Sequence, residues 1–127
     1  MDPERGIILF AHGARNPDWA KPLEAIRESM LVRQPRAKVE LAFLEFIPPR
    51  LPEAIDRFAQ AGIAEIVVVP IFMARSGHTK RDLPGLLAEA QRRHPSIDVR
   101  IAAPIGEAPE VVAAIAAYAL ACANPAL

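Results

Sequence analysis

Cysteine is almost missing from this chain: Cys122 stands alone among 127 residues. One thiol excludes an intrachain disulfide and a cysteine-based metal cluster, and it suits a reducing cytosol. Net charge is missing as well. Fifteen Lys and Arg balance fifteen Asp and Glu, so no global field draws the chain to nucleic acid or to a membrane surface. The apolar, Ala-rich stretch Val111 to Ala123 is too short to span a bilayer. The opening Met-Asp-Pro-Glu-Arg does not read as a signal peptide, because the apolar run after it is too short. Low-complexity segments, linkers and the glycine pattern of a nucleotide-binding loop are absent too. What remains reads as one cytosolic domain over residues 1–127. It is 52% hydrophobic and long enough to bury about two-thirds of its unfolded surface.

The apolar residues fall into alternating strand and helix patterns. Gly6 to Ala11 and Glu65 to Phe72 read as strands; the first is apolar throughout and the second holds the continuous run Ile66 to Phe72, rich in β-branched residues, as strands covered on both faces require. Lys38 to Phe46 alternates more and suits an edge, and Asp98 to Ala103 is a fourth strand. Between them lie helical patterns punctuated by proline. The first starts near Asp18 or Trp19, since Pro22 is tolerated only in a first turn, and buries Trp19, Leu23, Ile26 and Met30. The second starts near Pro49 or Arg50, buries Leu51, Ile55 and Phe58, and ends with Gly62 at its C′ position. The third is expected to be capped by Asp82 rather than Thr79, because Pro84 must fall in its first turn; Leu83, Leu87 and Ala90 face inward, and it stops at His94-Pro95. The fourth carries Pro109 in its first turn, with Val112, Ile115 and Ala119 as the stripe that meets the sheet. This βαβαβαβα order predicts an α/β domain, a three-layer open parallel sheet of four strands in the order 2-1-3-4.

In such sheets ligands bind beyond the carboxyl ends of the central strands, where the strand order switches. Two histidines occupy that place: His12, in Ala-His-Gly after the first strand, and His78, in Gly-His after the third. Imidazole is a good ligand for Co²⁺, Ni²⁺, Fe²⁺ and Zn²⁺. Two imidazoles with a carboxylate leave positions open for substrate, and Glu45, closing the second strand, is the nearest candidate carboxylate. His94, at a helix end before proline, has a structural place there. Arg15, Arg50, Arg75, Lys80 and Arg81 all follow strand ends, so a neutral chain acquires a basic rim suited to a polyanionic small ligand. Trp19 fits a core or lid position, and Cys122 inert packing.

These residues carry a resemblance. Phe10-Ala-His12-Gly-Ala-Arg15, Ala42-Phe-Leu-Glu45, Val69-Pro-Ile-Phe-Met-Ala-Arg-Ser-Gly-His78-Thr-Lys-Arg-Asp82-Leu-Pro84 and Ala103-Pro-Ile-Gly106 resemble the small class II chelatases of CbiX type, the sirohydrochlorin cobaltochelatases of cobalamin synthesis. Ala14 stands where that family usually has serine. The resemblance implies a chelatase-like, flavodoxin-like half-molecule and an ATP-independent lyase that inserts a divalent metal into a macrocycle bearing eight carboxylates. The metal is a substrate, Co²⁺ first, with Ni²⁺ and Fe²⁺ also suited to the ligands. It further implies His12 as metal ligand and proton acceptor, His78 as the second ligand and Glu45 as a macrocycle contact or proton relay. Met73, Ala74, Arg75, Ser76 and Gly77 would form the wall against which the ring lies, with Arg15 and Lys80 on its carboxylates. A homodimer enclosing the tetrapyrrole is implied as well. Two other readings compete. A non-catalytic metal or tetrapyrrole carrier would show the same ligands. A histidine-dependent phosphoryl-transfer enzyme would carry arginine just before the histidine, where this chain has Ala11.

Overall fold

The computed structural model describes residues 4–74 and 77–124, and for residues 77–80 the backbone alone. Four strands, β1 (Arg5–Ala11), β2 (Lys38–Phe43), β3 (Glu65–Pro70) and β4 (Asp98–Ile101), form one parallel sheet in the order β2-β1-β3-β4. That is the order expected from the two most apolar runs taking the centre. The register pairs Phe10 with Ala42 on one side and with Pro70 on the other. The carboxyl ends of β1 and β3 are therefore side by side.

The sheet faces two separate cores. Ile8, Phe10, Ile66 and Val68 point to one, where α2 (Leu51–Gln60) and α3 (Gly77–Arg93) cover them. Leu9, Val39 and Phe43 point to the other, against Leu23 of α1 (Lys21–Arg33) and against Ala20. The helix α2 follows its sequence closely. Pro52 sits in its first turn, and Leu51, Ile55 and Phe58 are buried. Its end closes as a Schellman motif: Gly62 takes φ +81, its N–H donates to the Ala59 carbonyl and the Ile63 N–H to the Phe58 carbonyl. Asp56 of α2 then reaches across to His94 at the end of α3, 2.7 Å from Nε2, and to Arg93. His94 is thus a structural residue, as its place before proline suggested.

Four expectations need correction. A 3₁₀ turn, Pro17–Ala20, precedes α1, with the Asp18 N–H donating to the Asn16 side-chain oxygen. The strands β2, β3 and β4 each end two or three residues earlier than their apolar runs, because the backbone turns toward the loops before the hydrophobicity stops. On α1 only Leu23 is buried; Ile26 is exposed and Trp19 is 67% exposed, so Trp19 is no core residue. The helix α3 begins at Gly77, not after Asp82, and carries Pro84 inside it. Pro84 lies on the exposed side, where solvent can serve the carbonyl that its missing N–H leaves behind. Leu86, with Leu83, packs on the core there, and Ala90 is buried.

The last helix departs most. In α4 (Pro109–Cys122) Pro109 opens the first turn as expected, but no residue is buried, and Val112, Ile115 and Ala119 are exposed instead of meeting the sheet. Its contacts are concentrated on the 3₁₀ turn Ile105–Glu107.

Candidate functional site

The site grows out of the two central strand ends. Beyond the last residues of β1 and β2 the ladder continues: the Leu44 N–H donates to the Ala11 carbonyl at 2.9 Å and the Glu45 N–H to the His12 carbonyl at 3.1 Å. Glu45 is thereby fixed beside His12 by the backbone alone, with its side chain exposed. Gly13 follows at φ +86, and a Cβ there would meet the Glu45 carbonyl oxygen at 2.1 Å. Only glycine allows that turn and that approach together. This is the physical reason for glycine after His12.

The imidazole of His12 is exposed to solvent but not loose. It stacks on the ring of Phe72, with centroids 4.3 Å apart and planes 28° from parallel. Phe72 is itself buried and tilted against Phe10, 5.7 Å away. The end of β3 therefore supplies the floor on which the histidine from β1 lies. The Ile71 N–H, donating to the Phe10 carbonyl at 2.7 Å, keeps the two strand ends in register.

Next to Phe72 the chain turns outward. The Gly106 N–H donates to the Phe72 carbonyl at 3.1 Å, and a Cβ on Gly106 would meet the Met73 carbonyl oxygen at 1.9 Å. The segment Pro104-Ile-Gly106 thus buttresses the loop that carries Met73 and Ala74. Both are exposed, Met73 by 63%. An exposed methionine on a buttressed loop suits a flat apolar partner.

On the β2 side the guanidinium of Arg15 lies 5.3 Å from the centroid of the Phe46 ring. Phe46 is 55% exposed and holds φ +71, a left-handed conformation unusual for a bulky residue. Arg50, the residue before α2, is exposed and bridges to Phe43.

The structure thus brings together His12, Glu45, Met73, Ala74 and Arg15 on one surface. Arg75 and Ser76 lie outside the described residues, and so do the side chains of His78 and Lys80. The backbone of His78 belongs to the first turn of α3 rather than to a loop, and Lys80 and Arg81 also lie on that helix. Among the described residues no group of three His, Cys, Asp or Glu side chains stands together as a metal site. A cleft of about 440 Å³ between α1 and β2 is lined by none of the predicted site residues. Sequence reasoning missed Phe72 and Phe46 and gave Gly106 no role. Phe72 ends an apolar run and reads as plain core; Phe46 gave no signal, because stacking on Arg15 depends on an unusual backbone angle. No helix among the described residues is long and apolar enough to cross a membrane.

Comparison with known proteins agrees with this geometry. The CbiX family profile matches residues 6–120. The chain is 38% identical over 81 residues to the sirohydrochlorin cobaltochelatase of Methanopyrus kandleri, a match covering 64% of this chain and 57% of that enzyme. It is 36% identical over 101 residues to the sirohydrochlorin cobaltochelatase of Sulfurisphaera tokodaii, covering 80% of this chain and 79% of that enzyme. The chain spans little more than half the length of the first relative and about four-fifths of the second. Among solved structures, a CbiX protein of cobalamin biosynthesis from Marinobacter aquaeolei superposes with a TM-score of 0.83 at 27% identity, covering 95% of this chain and 98% of that one. The sirohydrochlorin chelatase SirB of Bacillus subtilis, in complex with cobalt, superposes with a TM-score of 0.71 at 27% identity, over 80% of this chain but 44% of SirB. With the family profile running through all four strands and the site loops between them, the chain belongs to the CbiX family.

Proposed function

We propose that this protein inserts a divalent metal, cobalt above all, into sirohydrochlorin without a nucleotide, in tetrapyrrole synthesis leading to cobalamin. The single observation that carries the reading is the pairing of β1 with β3 at the sheet centre. It sets His12 and the start of α3, with His78, beside one surface. Support comes from the relatives, named as sirohydrochlorin cobaltochelatases, and from SirB, solved with cobalt and with Fe³⁺.

The chemistry follows from the substrates. Metal insertion forms four metal–nitrogen bonds and releases two pyrrolic protons, so the site needs a metal donor and a proton acceptor at the ring face. His12 takes both roles in turn. Its exposed imidazole, stacked on Phe72, presents a nitrogen to the metal and then accepts a ring proton. His78 is the second donor. Glu45, whose backbone is tied to His12, passes protons to solvent or contacts the macrocycle. Met73 to Gly77 form the wall against which the ring lies, and Arg15 and Lys80 meet peripheral carboxylates. The chain acts as one domain in the cytosol, and two copies enclose the ring as a homodimer. The dimer reading is supported by SirB, of which this chain matches 44%, leaving room there for a second lobe.

Anaerobic incubation of sirohydrochlorin with Co²⁺, Ni²⁺ or Fe²⁺, followed by absorbance, tests the proposal. The expected result is catalysed insertion, fastest with Co²⁺. Tight binding of metal or macrocycle with no acceleration over the protein-free rate would make the protein a carrier instead.

A further inference from the structure

Two beginnings are encoded in α3. The structure shows the long form, a helix from Gly77 to Arg93. The sequence carries a second start five residues later, at Asp82. Aspartate is a preferred N-cap residue, and a helix capped there holds Leu83 and Pro84 as its first two residues. Proline suits that turn, because its missing N–H would have no intrahelical partner in any case. In the long form the same proline stands in the helix interior and leaves the Lys80 carbonyl without a donor from the helix. Gly85 follows at once, exposed, with no atom within 4 Å of where its Cβ would lie. No close approach calls for glycine there, and proline and glycine are the two residues that helix interiors tolerate least.

The far part of α3 is firmly fixed. Leu83 and Leu86 pack on the core, and Ala90 is buried. Near the end the Gln91 side chain donates to the carbonyls of Pro95 at 3.2 Å and Ile97 at 3.0 Å, and Asp56 of α2 binds both Arg93 and His94. These anchors all lie at or after Leu83, so a start at Asp82 leaves them in place. The short form gives up the bonds that the N–H groups of Arg81, Asp82 and Leu83 make to the carbonyls four residues back. The Gly85 N–H turns from the Arg81 carbonyl to the Asp82 carboxylate, as the third residue of a capped helix does.

We propose that Asp82 and Pro84 are positioning residues: they keep the second start available, and a metal ion held by His78 selects it. This rests on the reading of His78 as a metal donor given above, and says how the position of that donor is set. The selection is electrostatic. A helix N-terminus carries about half a positive elementary charge. The long form places that charge at Gly77, one residue from His78, where it repels a divalent cation. A start at Asp82 withdraws it by about 7.5 Å, at 1.5 Å per residue, and sets a carboxylate over it. The ion therefore interacts better with the short form, and only such a difference lets a ligand shift an equilibrium. His78 and Lys80 both belong to the segment that unwinds, so the metal donor and the rim cation are repositioned together.

The experiment adds Zn²⁺, a diamagnetic ion that imidazole also binds, to the full chain and follows amide exchange by NMR. The amides of Arg81, Asp82 and Leu83 should exchange at least about tenfold faster with the ion than without it, while those of Leu87 and Ala90 stay protected. Asp82→Ala removes the cap and should weaken Zn²⁺ binding about fivefold, the equivalent of one lost N-cap. Asp82→Asn, an equally good cap, should bind like wild type. Pro84→Ala returns a donor to the Lys80 carbonyl, so it should raise the urea midpoint and yet weaken Zn²⁺ binding by at least about fivefold. A purely structural residue would move stability and affinity in the same direction. Amides 81–83 that exchange equally fast in the empty and the loaded protein overturn the change of start and leave the metal reading standing. That measurement needs no variant and decides the matter even if Pro84→Ala folds poorly. A folded Pro84→Ala that binds Zn²⁺ like wild type overturns it too, as does an Asp82→Asn as weak as Asp82→Ala. If neither Zn²⁺ nor Co²⁺ perturbs the imidazole signals of His12, the metal reading itself fails, and the second start loses its trigger with it.

Discussion

The ends of β1 and β3 lie next to each other, and each is set against a neighbouring carbonyl by a glycine, yet they present their histidines differently. After β1 the backbone turns at Gly13, in a left-handed conformation packed on the Glu45 carbonyl, and His12 stays outside any helix with its ring on Phe72. After β3 the support comes from a distant segment. Gly106 bonds to Phe72 and packs on the Met73 carbonyl, and the chain then enters α3, with His78 in the first turn. The ring of His12 is thus aimed by what lies beneath it, whereas the position of His78 is carried by a helix start. Damage to the first arises locally at the turn or the stack; damage to the second arises from the buttress or from the register of α3.

The strongest way to break this comparison is to remove the imidazole from the β1 end. His12→Ala should lower the insertion rate by about 10²- to 10⁴-fold, the range for loss of a positioned proton acceptor, with far-UV circular dichroism unchanged because the side chain is exposed. His78→Ala should also abolish most activity with the fold retained. Either variant keeping full rate removes that residue from the mechanism. Neutral imidazole is the form that binds metal, so the wild-type rate should fall steadily from about pH 8 to about pH 5; a flat profile over that span argues against histidine ligation.

Next in size are the glycines, which separate strain from crowding. Gly13→Ala meets both a positive φ and a carbonyl at 2.1 Å, Gly106→Ala only a carbonyl at 1.9 Å, and Gly62→Ala only a positive φ with open space around it. Left-handed strain costs on the order of 1 kcal/mol and overpacking about 1–3 kcal/mol. Gly13→Ala should therefore be the least stable in urea, Gly106→Ala intermediate and Gly62→Ala the mildest. The first two should also lose activity at temperatures where they remain folded, because each shifts a site loop. Gly62 lies at the far end of α2 and should leave the rate untouched. A Gly13→Ala protein as stable as Gly62→Ala would mean that the β1 turn relaxes freely and does not aim His12.

The same contrast explains what was legible in the sequence. The strand order was legible because the apolar content of Ile66 to Phe72 and Ile7 to Phe10 exceeds that of the outer strands, and burial on two faces needs that content. The helix α2 was legible because its proline, its apolar spacing and Gly62 all point to one answer. His12 and Glu45 were readable as neighbours, since parallel pairing of adjacent strands aligns their ends. The start of α3 was not readable. A rule that keeps proline in the first turn placed the cap at Asp82, but a solvent-facing proline later in a helix is tolerated. Periodicity also failed for Trp19, Ile26 and all of α4. It reports that a face is apolar and is silent on whether the chain's own sheet or another surface covers it. Phe72 was invisible for the opposite reason: its role under His12 depends on two strand ends meeting.

A milder test addresses that stack. Phe72→Leu keeps a buried apolar side chain but removes the aromatic platform, so stability should drop by only about 1 kcal/mol. The rate should fall about tenfold, because the imidazole keeps its donor atoms and loses its orientation, and reactivity is steep in small misplacements. Equal rates for Phe72→Leu and wild type would show that the backbone, and not the stack, sets the ring.

The smallest effect belongs to Arg15, and it sharpens the comparison at the rim. An exposed cation over an aromatic ring gains about 0.5–1 kcal/mol, which is enough to favour one rotamer without locking it. Phe46 holds its unusual backbone angle beside Glu45 and offers its ring to Arg15, so the β2 side of the site pre-positions one positive charge. If that charge meets a substrate carboxylate, the contact acts on ground state and transition state alike, and its loss appears in KM rather than kcat. Arg15→Ala should then raise KM for sirohydrochlorin severalfold with kcat nearly constant. Phe46→Leu, which leaves the charge but frees it, should raise KM by about fivefold at most, the equivalent of the lost stacking energy. Raising ionic strength should weaken binding to the wild type more than to Arg15→Ala, because one screened contact is already gone. If Phe46→Leu matches Arg15→Ala in KM, the ring itself touches the macrocycle and the arginine is its accessory. If KM ignores both substitutions and salt, the carboxylates are held elsewhere on the rim, with Lys80 at the β3 end the next residue to reverse.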